Sequence, residues 1–207
     1  MRKSSTLVFR LLFLFLGGQP IWAESPPIMP IPPSQADFTE FLRIKELPHI
    51  EIAKSGHELY RIGHDAVIAE LKQVSGSNPE VIARDAYYHV PTEHSARNLI
   101  KWFEALLLQY DDDYRQEAWD CDDYSLALTT FGEIAAGHDH DLSHGFAWAT
   151  MVVKQVNRWG RVGAGVTHEL VLIHTDKGFM VVEPQNGTHA RLADYPNREH
   201  IRSVFFN

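Results

Sequence analysis

Cysteine is nearly absent from this chain: Cys121 stands alone among 207 residues, so no intramolecular disulfide can form. Basic residues are scarce, 19 against 27 acidic ones, and a formal net charge of -8 argues against binding a phosphate backbone. Long apolar runs are missing as well. Only Leu7 to Leu16, broken by Arg10, comes close, and it is too short to span a bilayer comfortably. At 44% hydrophobic residues the chain has enough apolar material for one globular domain, which excludes disorder throughout.

Three segments follow from composition. Met1-Arg2-Lys3, the short apolar run and the small residues before Ala23-Glu24 have the layout of a signal peptide over 1–23. The expected mature protein is secreted or periplasmic, more acidic still, and not inserted in a membrane. Residues 24–33, with Pro26, Pro27, Pro30, Pro32 and Pro33, read as an extended leader that cannot enter a helix. A single domain is expected over 34–207.

Apolar spacing supplies the elements. Helices are expected over Ala36 to Leu47 and His64 to Val74, the second stopped by Ser75-Gly76-Ser77-Asn78-Pro79. Leu99, Trp102, Phe103, Leu106 and Leu107 recur at i, i+3, i+4, i+7 and i+8, which marks an amphipathic helix. Another helix begins at Cys121 and ends near Gly137. Phe146 to Val156, Val166 to His174 and Phe179 to Glu183 read as strands, with Asp176-Lys177-Gly178 turning between the last two. Ile201 to Phe206 adds an edge strand. The expected class is α+β, with N-terminal helices packed on a C-terminal antiparallel sheet.

A lone thiol in an exported protein has three readings: an inert core residue, an intermolecular bridge, or a nucleophile. Asp120 stands at an N-cap position, placing Cys121 in the first turn of its helix, where unpaired N–H groups favour a thiolate. Asp120, Asp122 and Asp123 oppose that charge, so a nucleophile here needs a cation beside it. His168, in Thr167-His168-Glu169-Leu170, is the candidate, and Glu183 would orient it. An even hairpin loop puts His168 and Glu183 on one face of adjacent strands, whereas a three-residue loop without a bulge separates them; the sequence leaves the register open. His144 is the rival base.

Trp119-Asp120-Cys121-Asp122-Asp123-Tyr124, a strand histidine, and Glu183-Pro184-Gln185-Asn186-Gly187 together resemble the papain-like/transglutaminase-like cysteine enzymes. Within them the likeness runs to the catalytic C-terminal domain of the fairy-ring mushroom agglutinin. The resemblance implies a Cys121–His168–Glu183 triad cleaving or transferring amide bonds of a peptide or protein substrate through a thioester. It implies Gln116, Trp119 and Gln185 as oxyanion or substrate contacts. It needs no cofactor for the chemistry, but implies calcium as an activator, held by Asp111, Asp112, Asp113, Asp120, Asp122 and Asp123. The same aspartates also read as a solvated loop and helix caps. Two other functions remain open: a cell-wall peptide amidase, and a non-catalytic module binding calcium or carbohydrate. His138, His140 and His144 with Asp139 and Asp141 have metal-site spacing, but a polar loop explains them as well.

Overall fold

The computed structural model describes residues 47–110, 120–139 and 144–206; the side chains of Gln109, Tyr110, His138 and Asp139 are outside the description. The expected signal peptide, the leader and the helix over Ala36 to Leu47 therefore lie outside the described residues. Leu47–Asn207 forms one compact unit. None of the described helices is long and apolar enough to cross a membrane.

Strands come first. β1 (Lys54–Ser55) and β2 (Glu58–Leu59) form a small hairpin, and β3 (Arg61–Gly63) pairs antiparallel with β5 (Tyr87–His89). Between them lie α1 (His64–Ser75) and β4 (Glu80–Ala83). α1 buries Val67, Leu71 and Ser75, a four-residue spacing that gives it one inward face. It ends where Gly76 adopts a left-handed φ of 69° and returns its N–H to Lys72 O, a conformation that favours glycine. Two longer helices follow, α2 (Glu93–Tyr110) and α3 (Cys121–Asp139).

The main sheet has six strands in the order β4-β10-β6-β7-β8-β9. β6 (Trp148–Lys154), β7 (Thr167–Thr175), β8 (Gly178–Glu183) and β9 (Thr188–Arg191) form an antiparallel meander. β10 (Ile201–Phe206) inserts between β6 and β4, antiparallel to the first and parallel to the second.

This arrangement corrects the expected papain-like α+β class. The sheet is mixed rather than antiparallel, and it recruits β4 from ahead of the long helices. The helices are not grouped on one side either. Val67 and Leu71 of α1 join Ala149, Met151, Val153, Leu170, Leu172 and Val181 on one face. Trp148 lies on the opposite face, beneath α3, so close that a Cβ added at Gly132 would sit 3.1 Å from the indole. β7 and β8 are consequently buried on both faces, which is why Leu170-Val171-Leu172-Ile173 and Met180-Val181-Val182 are continuous apolar runs and not alternating ones. Ile201–Phe206, expected at an edge, is interior to the sheet.

Candidate functional site

The N-terminus of α3 and the β7–β8 pair build a polar interior region. Asp120 precedes α3, and its backbone N–H donates to Asp123 Oδ2 at 3.2 Å, which satisfies one donor at the helix start. This sets Cys121 on the first helical residue, half-buried. On the sheet, Thr175 pairs with Gly178, leaving Asp176-Lys177 as a two-residue loop. Continuing that register sets Leu170 opposite Glu183 and leaves His168 diagonal to it on the same face. The open register is thereby closed, and His168 Nε2–H donates to Glu183 Oε2 at 2.5 Å.

Glu183 is fixed from both sides. Its Oε1 accepts the Gln185 N–H at 3.2 Å, and its carbonyl accepts Gly187 N–H at 2.9 Å across the Pro184-to-Gly187 turn. The carboxylate is only 1% exposed and His168 only 8%. Burial opposes a charge on the imidazole, but hydrogen bonds with Cys121 and with Glu183, and the charges of both, outweigh it and push His168 up to about 9. His168 is therefore a cation at neutral pH, held between a sulfur and a buried carboxylate.

The aspartates behave differently. Asp122 is pushed up to about 6, first by its side-chain hydrogen bond with Asp120 and then by burial and the charges of Asp120 and Asp123. Ligand atoms of Asp120, Cys121 and Asp122 lie within 4.8 Å of one another. Two carboxylates and a sulfur fall short of the six to eight oxygens that calcium takes. Asp111, Asp112 and Asp113, which would have to complete the set, lie outside the described residues, as do Gln116 and Trp119. Glu169 is also raised, first by burial and then by the charges of Asp122 and Asp120 against a hydrogen bond from Thr150.

Gln185, expected at this site, has its side-chain nitrogen buried with no partner among the described residues. The rival His144 sits instead among the rings of Tyr87 and His89, at centroid distances of 6.0 and 6.1 Å. Of the proposed metal loop, residues 140–143 fall outside the described residues.

Two groupings escaped the sequence reading. Glu133 accepts the Phe146 N–H at 3.3 Å, and burial, partly offset by that bond, pushes it up to about 7. Glu93 clamps Arg97 and Arg191 together. The Glu93/Arg97 half was legible as an i, i+4 pair on a helix. Arg191 had no local signal.

No protein-family model and no curated relative matches the chain. Solved structures do. One, described as a PSL1a–E64 complex, matches with a TM-score of 0.56 at 17% identity over 72% of this chain and 50% of that one. Another, described as Polyporus squamosus lectin bound to the human-type influenza-binding epitope Neu5Aca2-6Galb1-4GlcNAc, gives 0.53 at 16% identity, over 76% of this chain and 60% of that one. The chain thus spans about half the length of the first of these proteins. The identification as a papain-like/transglutaminase-like cysteine enzyme is corrected by these matches, and with it the terms cysteine peptidase, hydrolase and catalytic triad. The fold they establish is one shared with a lectin, and a fold shared at this identity brings no activity with it.

Proposed function

We propose that the domain is a carbohydrate-binding module acting outside the cytoplasm. The observation that carries this reading is the likeness in fold to a chain described as a lectin with a glycan bound. The polar region around α3 supports it. Sugars present hydroxyls that both donate and accept, and they are recognised by a few fixed polar groups in a concave site. Here the carboxyls of Asp120 and Asp122, the imidazolium of His168 and the unmatched amide nitrogen of Gln185 supply both kinds of group. Export, as read from residues 1–23, would place such a module where glycans are displayed.

The test is a glycan array on the full chain, followed by calorimetry on the strongest ligand with Gln185→Ala and Asp122→Asn. Binding that each substitution weakens by about tenfold, or about 1.4 kcal/mol, is the expected result. The same protein is assayed for amide hydrolysis. An array without a ligand, or amide turnover that vanishes in Cys121→Ala, overturns the reading.

A further inference from the structure

A cavity of about 480 Å³ lies where the first turn of α2 meets the β7–β8 loop and β9. Its lining carries Glu93, Arg97, Asp176, Lys177 and Arg191, with Thr92 and His94 beside them. We propose that this cavity is a subsite for a carboxylate-bearing sugar, an inference that rests on the carbohydrate-binding reading and names one ligand class for it.

Three cations face two acids, and both acids are already engaged. Glu93 is half-closed to solvent, its Oε1 taken by Arg97 Nε at 2.8 Å and Nη2 at 2.7 Å, and its Oε2 by Arg191 Nη2. Asp176 Oδ1 accepts the Glu93 N–H at 2.7 Å, and its Oδ2 lies 3.4 Å from Lys177 Nζ. His189 adds no acceptor for a ligand: its Nδ1–H donates to Gly187 O at 2.7 Å, so Nε2 accepts from Arg97. Each cation has an acidic partner, but the two arginines share Glu93, so the lining carries one more cation than acid.

Each guanidinium carries five N–H donors in a rigid fork. Arg97 spends some on Glu93 and His189, and Arg191 spends one on Glu93 and one on Lys177 O. Both forks retain N–H groups that no described bond uses. They are also held in place, because Arg191 Nη1 is bonded to Lys177 O at 2.7 Å and Asp176 N to Pro91 O at 3.1 Å, which ties the loop to both neighbours. Fixed forks with spare donors, in a lining with one cation in excess, suit a carboxylate.

The experiment is a ¹⁵N NMR titration of the full chain with glucuronate and N-acetylneuraminate, and with glucose as the neutral control. Both Lys177→Glu and Arg191→Gln are titrated, and their spectra report whether the fold is kept. The expected result is that the acidic sugars shift the amides of Thr92, Lys177 and Arg191, bind at least about tenfold tighter than glucose, and lose that advantage in Lys177→Glu. Acidic sugars no tighter than glucose, or unaffected by either substitution in a folded variant, overturn the subsite. Neutral glycans that still bind on the array would then leave the broader reading standing. Acidic sugars that bind here while no array glycan binds would keep the subsite and overturn the region around α3 as the glycan site.

Discussion

Raising the pH should destabilise this protein through His168. In the unfolded chain its imidazole has its ordinary value of 6.5, and in the folded chain it is held up to about 9. The folded state therefore binds the proton more tightly. Its contribution is complete below about pH 6.5 and is lost as pH rises through about 9. A difference of that size is worth about 3 kcal/mol, since each pH unit corresponds to about 1.4 kcal/mol. Against a typical total of about 5 to 15 kcal/mol, the loss is large. The assay is urea unfolding at several pH values between 6 and 9.5; with a slope of about 2 kcal/mol per molar, the midpoint should fall by about 1.5 M. Glu183→Gln removes the charged partner and should flatten the pH dependence, while destabilising the protein at pH 6 by leaving a buried cation uncompensated. The histidine resonance of His168 should titrate near 9 in the wild type. A wild-type midpoint that stays level from pH 6.5 to 9, or an unchanged slope in Glu183→Gln, would refute the reasoning.

Gly132→Ala reverses the usual rule for helix interiors: the new methyl meets the Trp148 indole at 3.1 to 3.3 Å, so calorimetry should show a loss of about 1 to 3 kcal/mol rather than a gain. Glu133, raised to about 7, holds its proton more tightly when folded, so its contribution should be whole below about pH 4.5 and lost by about pH 7. Glu133→Gln should abolish that part of the pH dependence in denaturation curves and leave the His168 part intact. Leu172→Ala, in a strand covered on both faces, should cost about 2 to 5 kcal/mol in the same assay. Glu93→Gln should loosen the Arg97–Arg191 clamp and speed hydrogen exchange at the start of α2 and along β9, and unaltered exchange there would count against the clamp.

Helical elements were the most legible. The spacing of Leu99, Trp102, Phe103, Leu106 and Leu107 marks α2, and α3 starts at the expected cysteine, with the Asp120 N–H bonded to Asp123. The layering was not read, although its trace was present: β7 and β8 lack alternation because helices cover both faces. β4 was missed as a sheet member because parallel pairing with β10 is a long-range property with no turn to announce it. The His168–Glu183 contact depended on the parity of one hairpin loop, and only the Thr175–Gly178 pairing decides it. A family resemblance resting on about twenty residues led toward peptide chemistry because motif spacing does not report on the surfaces around a site. Arg191 illustrates the same limit, since it reaches Glu93 from 98 residues away.

The order of the sheet also sets the order in which the molecule can be finished. β4 has no partner in the main sheet except β10, so Glu80 must wait for Ser203, about 120 residues later, before its backbone is paired. Long-range parallel pairing of this kind is slow to close and leaves apolar strands uncovered meanwhile. Until Ile201–Phe206 pairs, β6 to β9 form a meander with a bare edge at β6, open to mispairing. For this fold, the strand made after the meander is the one that seals the sheet.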